Sequence, residues 1–421
     1  MEAECLVYVD LSGKHHLAGR LWTRMRKGRE SASFEYDKKW LANLLRFSLE
    51  PALALGPGPF HTDSPLFGAI GDSAPDRWGR MLMRRAERRR ATSQGQTPKT
   101  LSEIDYLLMV DDEARQGALR FARGEAGPFL AEDTGNKIPP LIDLPRLLTA
   151  TEHVLSDTES DEDLRLLLAP GSSLGGARPK ASVRDRDGQL ALAKFPNAAD
   201  EFNTVTWEAV ALTLASNAHI VVPNWRLEFI SKKPVLILRR FDRTQATRIP
   251  FLSAMSMINA KDNEQRSYLE LVDALRQYGA APKEDIRMLW RHIVFTILIS
   301  NTDDHLRNHG FLYTGSAGWR LSPAYDLNPI PIDIRPRVLT TAIDLDDSTA
   351  SLKLALDVAG YFDLSREEAI EISAEVGAAV SNWRHVATKF GLTPGEIDRM
   401  VSAFEHADLD LACKLKKKRR K

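Results

Sequence analysis

Asp303, His305 and Asn308 stand together in the run "ISNTDDHLRNHGF" (Ile299 to Phe311), at the spacing Asp-x-His-x-x-Asn. Asp326 follows in "WRLSPAYDLNPIP", with Tyr325 beside it and Pro323 and Pro329 fixing the chain on either side. Two carboxylates and an amide in this order suit phosphoryl transfer. Asp303 would orient a hydroxyl nucleophile, while Asn308 and Asp326 would hold magnesium on the phosphates of a nucleotide. His305 either helps with phosphate charge or hydrogen-bonds the backbone. Asp and Asn also favour turns for their own reasons, so a plain loop is the competing reading.

Chemistry of this kind needs rigid elements beneath it. Leu289, Trp290, Ile293, Val294, Ile297 and Leu298 repeat at helical spacing directly before the loop, and predict a helix with one buried face. Upstream lies a glycine-rich run, "LAPGSSLGGARPKASVRDRDGQLALAKFP". Gly171, Gly175 and Gly176 permit backbone approach to a polyphosphate, with the amides of Gly175 to Ala177 available and Lys180 closing the loop. No Gly-Lys-Ser/Thr follows at P-loop spacing. Lys194 ends the second strand of the hairpin turned at Asp187-Gly188, where it would reach the α- and β-phosphates. It is a charge in a buried-looking run, an expensive placement without a partner. Glu208, on the next predicted helix, is the expected partner. "ILRRFDR" ends a later strand; the backbone of Arg240 and Phe241 could meet an adenine edge and Asp242 a ribose hydroxyl.

Composition sets the outer bounds. Lysine plus arginine and aspartate plus glutamate each number 57, so whole-molecule charge points to no nucleic-acid partner. The charge is uneven locally, with "RRAERRR" at Arg84 to Arg90 and seven basic residues among the last eight. Such a tail has no apolar partner; it is expected to be unstructured in isolation. Cys5 and Cys413 lie at opposite ends, which fits neither a metal site nor a structural disulfide and suits a reducing cytosol. The acidic N-terminus lacks signal-peptide character, and no apolar run approaches the roughly 20 residues that span a bilayer. A cytoplasmic protein is expected.

In chain order, a hairpin is predicted over Cys5 to Trp22, turning at Ser12-Gly13. A helix beginning at Asp72 or Ser73 follows, then another over "LSEIDYLLMVDDEARQGALRF", ending near Gly117. Leu141 to Leu155 reads as a helix and Ser156 to Asp163 as an acidic loop. After Asp242 the pattern is mostly helical, and Ser365-x-x-Glu368 and Thr393-x-x-Glu396 are capping boxes.

Together, "FGAIGDSAPDRWGR", "LLMVDDEARQGALRF", "SSLGGARPKASV", "NTDDHLRNHGF" and "LSPAYDLNP" resemble the HipA family of serine/threonine protein kinases, the toxin half of bacterial toxin–antitoxin pairs. The resemblance covers nearly the whole chain. It implies an α+β, two-lobed protein-kinase-like fold, with a β-rich N-lobe, a mostly helical C-lobe and an additional N-terminal α/β subdomain. The expected segments are 1–140, 141–242 and 243–421. It implies ATP and Mg2+ as cofactors, Asp303 as catalytic base, Asn308 and Asp326 as metal ligands and Lys194 as the phosphate lysine. Ser173 matches a loop serine whose phosphorylation ejects the loop and inactivates these kinases, with Ser172 adjacent as the second possibility. The implied partners are a protein substrate, in this family an aminoacyl-tRNA synthetase, and a helix-turn-helix antitoxin beside which the basic tail could touch DNA. A small-molecule kinase, and a catalytically vestigial corepressor, are the alternatives.

Overall fold

The computed structural model describes residues 2–125, 127–131, 138–168, 176–245 and 247–419, with side chains excluded at residue 2 and from residue 416 onward. The chain forms two compact units, residues 1–198 with 228–259, and residues 199–227 with 260–421. Among the described residues no helix is long and apolar enough to cross a membrane.

The first unit is β-rich. Its five-stranded antiparallel sheet runs in the order β4-β3-β2-β1-β5, from β1 (Glu2–Leu11), β2 (Lys14–Arg26), β3 (Arg29–Tyr36), β4 (Pro59–Thr62) and β5 (Leu119–Ala122). The predicted hairpin is β1–β2, turning through Ser12 and Gly13, both at positive φ. Strand alternation buries Cys5, Val7 and Val9 completely. A second sheet, in the order β6-β7-β9-β8, is built from β6 (Lys180–Arg184), β7 (Leu190–Lys194), β8 (Trp225–Ile230, entering this unit at Glu228) and β9 (Lys233–Arg239).

Helix α1 (Arg77–Ser93) starts later than expected. Pro75 disfavours helix at the preceding residue, so Gly68–Gly71 forms a separate turn and Asp76 caps α1 by accepting from Gly79 N at 2.9 Å. Asp72 instead accepts from the backbone and hydroxyl of Ser253, at 2.7 and 2.8 Å. Helix α2 (Glu103–Met109) is shorter than predicted, and its cause is Arg115. That fully buried guanidinium takes the carbonyls of Ser73, Leu107 and Val110 at 2.9–3.1 Å. Carbonyls used this way no longer continue a helix, and the chain turns into β5.

Helices α3 (Leu144–Leu155) and α4 (Asp161–Leu168) also belong to this unit. The end of the predicted acidic loop is therefore helical: Asp161, Glu162 and Asp163 form the first turn of α4, where acids suit the macrodipole. Trp78 and Leu82 of α1 share one core with Leu148, Leu164, Val183 and Ala193. That shared core joins segment 141–198 to the N-terminal residues, so the compact units do not coincide with the three expected segments.

The second unit is mostly helical, with α5 (Thr204–Asn217), α6 (Tyr268–Tyr278), α7 (Pro282–Leu298), α8 (Arg366–Val380) and α9 (Trp383–Lys389). Helix α5 is buried nearly all round, which places it inside a larger core. Trp207 on it lies 6.1 Å from the ring of Trp383 and 5.9 Å from that of Phe404. Both predicted capping boxes form, and Ser267 with Glu270 forms a further one. The basic tail, expected to lack structure, has a helical backbone as far as the end of the Ala407–Arg419 helix; side chains from residue 416 onward lie outside those described.

Buried titrating groups give the two units opposite responses to acid. Burial pushes His292 and His406, in the helical unit, down to about 4 from the ordinary 6.5, and in His406 the Arg337 charge adds to the shift. Between those values the unfolded chain binds more protons, so stability falls as pH falls. At pH 5 the loss is about 2 kcal/mol per histidine. In the β-rich unit burial raises Glu50 to about 7 and Asp111 to about 6. There the folded state binds more protons, and stability present at low pH is lost as pH rises through those values. Hydrogen exchange at pH 7 and pH 5, corrected for intrinsic rates, should show α7 losing protection while β1 to β3 do not. A parallel loss in both units would contradict these assignments.

Candidate active site

Helix α7 delivers the loop as its sequence predicts. Leu289, Trp290, Ile293, Val294, Ile297 and Leu298 are all 0–1% exposed. The helix stops at Ile299, and Ser300 takes a left-handed φ of 52°. The loop then turns tightly on itself: His305 N donates to Asp303 O at 2.9 Å and Asn308 N to His305 O at 2.8 Å.

Within this buried loop the Asp303 side chain is 57% exposed, and Arg335 donates to its Oδ1 at 2.7 Å. Asn308 is 2% exposed; its amide nitrogen donates to Asp303 O at 3.3 Å, while its Oδ1 is buried without a hydrogen-bond partner. His305 Nδ1, Thr302 Oγ1 and both amide atoms of Asn301 are likewise buried and unpartnered. Buried polar atoms ordinarily find partners, so this concentration marks a place built for something other than packing.

The strands β10 (Gly310–Tyr313) and β11 (Trp319–Leu321) form an antiparallel hairpin leading to Asp326. Tyr325 donates its hydroxyl to Arg307 O at 2.7 Å, and Ile330 N donates to Ser300 O at 3.3 Å. These bonds tie the Asp326 segment to the catalytic-type loop. Asp326 has φ 59°, a conformation Asp tolerates better than most residues, and its Oδ1 accepts from Asn328 at 3.1 Å. Asn308 Oδ1 and the Asp326 carboxylate are hard oxygen donors, the type magnesium takes beside nucleotide phosphates.

Asp304, next to the expected base, was not anticipated. It is 1% exposed and its Oδ2 accepts from Tyr268 at 2.6 Å and pairs with His309 Nε2 at 3.0 Å. Its backbone carbonyl accepts from Thr341 Oγ1 at 2.8 Å. Burial alone pushes its carboxyl up, but His309, His292 and the Tyr268 hydroxyl outweigh that and hold it well below the usual carboxylate range. Asp304 therefore anchors the loop from inside while Asp303 faces solvent. Adjacent acids in "NTDDH" were the only signal in the sequence, and it does not say which one is buried.

In the β-rich unit, Lys194 and Lys180 are both buried, and the β6–β7 register sets them directly opposite each other. Lys180 Nζ lies 2.8 Å from Asp76 Oδ2. Gly176 has φ 92° and its carbonyl accepts from Lys180 at 3.4 Å; Ala177 follows it toward β6. Gly171, Ser172, Ser173 and Gly175 lie outside the described residues. Glu208, on α5, is 3% exposed.

Asp242 departs from its expected ribose role. Its carboxylate is fully buried and its acceptor sites are filled from within: Arg240 Nε at 2.7 Å, Arg243 Nη1 at 2.9 Å and Gly117 N at 2.8 Å. Burial opposes its charge, but the two arginines prevail and its carboxyl lies well below the usual range. Arg240 also donates to Ala114 O at 2.9 Å. This knot fastens the end of β9 to the turn before β5; Phe241 rests 6.4 Å from the Phe251 ring.

The family model described as "HipA-like C-terminal domain" matches residues 172–395, more than half of the chain. The chain belongs to the HipA-like kinase family. It is also similar to a protein of Sinorhizobium fredii (strain NBRC 101917 / NGR234) named "Putative kinase Y4mE", with 24% identity covering 70% of this chain and 71% of that one. Among solved structures, HipA of Shewanella oneidensis MR-1, in complex with HipB and operator DNA, matches with a TM-score of 0.67 over 99% of both chains at 15% identity. That likeness is one of fold, and it extends beyond the HipA-like domain to the N-terminal segment.

Proposed function

We propose that this HipA-like kinase transfers the γ-phosphoryl group of ATP to a serine or threonine hydroxyl of another protein. The observation that carries the reading is the solvent-facing carboxylate of Asp303, on a buried loop that also holds the unpartnered oxygen of Asn308. Asp303 takes the hydroxyl proton as the new O–P bond forms and the bond to the β-phosphate oxygen breaks, with ADP leaving. Lys180 and Lys194 attract the phosphates. Asn308 and Asp326 would hold Mg2+, which supplies positive charge to the triphosphate. His305 lines the same loop as a polar support.

The reading extends to a cytoplasmic toxin that modifies Ser173 or Ser172 of its own loop, and a cellular target such as an aminoacyl-tRNA synthetase. A DNA-binding antitoxin partner is supported by the Shewanella complex, in which HipA was solved with HipB and operator DNA. Titration calorimetry tests the nucleotide site. ATP should bind the wild type in the presence of Mg2+, and Asp326→Asn should lose most of the magnesium dependence, a change of at least about tenfold, since even the outer-shell partners of a metal site contribute that much. Equal ATP affinity with and without Mg2+ in the wild type would count against the assignment.

A further inference from the structure

The β6–β7 hairpin brings two buried cations together. In the antiparallel register Lys180 pairs directly with Lys194, and residues directly opposite send their side chains to the same face. The two residues are 5% and 9% exposed. Like charges placed opposite each other are unfavourable, and removal from water makes an uncompensated charge costlier still.

The N-terminal segment supplies the compensation. Asp76 Oδ2 lies 2.8 Å from Lys180 Nζ, with side chains 6% and 3% exposed. The other oxygen, Oδ1, accepts from Gly79 N at 2.9 Å as the cap of the 17-residue helix α1. The carboxylate is thus oriented by the helix with one oxygen and grips the lysine with the other. Arg80, one turn into α1, is committed elsewhere, its Nη2 donating to Glu103 Oε2 at 2.6 Å. The Gly176 carbonyl adds a second acceptor to the ammonium, at 3.4 Å.

We infer that Asp76 is a positioning residue of the nucleotide site, holding the Lys180 ammonium beside Lys194 so that the two cations take the polyphosphate together. The inference rests on the reading that these lysines bind nucleotide phosphates. It gives "SAPDRWGR" a task beyond starting a helix. Without the carboxylate, a flexible lysine repelled by its neighbour leaves the face on which the phosphates bind.

Asp76→Asn separates this role from helix capping, because asparagine caps as well as aspartate. The helix cap should persist but the melting temperature should fall, because a buried ammonium loses its charged partner. Measured where both proteins are folded, the dissociation constant for ATP with Mg2+ should rise roughly tenfold, the scale of one charge-assisted hydrogen bond. Adenosine, which has no phosphates, should bind both proteins equally, an outcome that general loosening of the fold would not give. Lys180→Met should weaken ATP similarly, and adding Asp76→Asn to it should change nothing more, since Asp76 acts through that lysine. Asp76→Ser, another good cap, serves as the replacement should the asparagine variant fail to fold. Unchanged ATP affinity in a folded Asp76 variant, or a further loss in the double variant, overturns the inference alone. A wild type that binds no ATP overturns it together with the nucleotide reading.

Discussion

Asp303→Asn protein is expected to fold like the wild type and to transfer phosphate roughly 10²–10⁴ times more slowly, the range a general base contributes. The fold should survive because the side chain is 57% exposed and its ion-pair partner Arg335 is itself 38% exposed. Pairs of that kind contribute about 0–1 kcal/mol. Asparagine has nearly the same shape, so the position of Arg335 and the turn to Asn308 should persist. What is lost is an oxygen able to accept the hydroxyl proton. Circular dichroism and melting, run beside steady-state phosphorylation, read both halves of the expectation. Near-wild-type turnover would remove Asp303 from the role of base.

The neighbouring residue should behave in the opposite way. Asp304→Ala removes the acceptor shared by Tyr268 and His309 and leaves both polar groups buried. Breaking a buried, hydrogen-bonded pair by deleting one partner costs about 3–5 kcal/mol. The cost should appear in urea unfolding of the helical unit as a lower midpoint, with the β-rich unit affected far less. Asp303→Ala, one residue earlier, should shift that midpoint little. Two adjacent aspartates thus divide the work, one anchoring the loop and one facing solvent. A midpoint unchanged by Asp304→Ala would falsify the anchoring role.

Local features of this chain are legible in its sequence, and long-range ones are not. The stripe on α7 and the capping boxes at Ser365 and Thr393 rest on local periodicity and local hydrogen bonds, and sequence carries both. The Asp-x-His-x-x-Asn spacing was legible for the same reason. The burial of Asp304 was not, because Tyr268 comes from a distant helix and only the folded turn of the loop brings His309 onto the same carboxylate. Asp242 misled for a related reason. A strand-end aspartate looks available in sequence, yet the adjoining Arg240 and Arg243 and the distant Gly117 claim it. The early end of α2 likewise depends on Arg115 folding back onto its carbonyls. Segment 141–198 joined the N-terminal unit because Trp78 and Leu82 pack with Val183 and Ala193, a pairing no local pattern announces.

Two features of the sequence gain meaning only in three dimensions. Lys180 and Lys194 looked like separate candidates and prove to be cross-strand partners. Asp76, which no pattern in the sequence marks out, carries the charge that faces one of them.

The central claim, transfer of the ATP γ-phosphoryl group to protein serine or threonine, has a direct test. The wild-type protein is incubated with γ-labelled ATP, Mg2+ and a soluble lysate from which endogenous nucleotides have been removed, and the labelled proteins are hydrolysed to amino acids. Label should be recovered as phosphoserine or phosphothreonine, dependent on Mg2+ and absent with Asp303→Asn. Label confined to small molecules, or protein label that persists undiminished with Asp303→Asn, would contradict the claim.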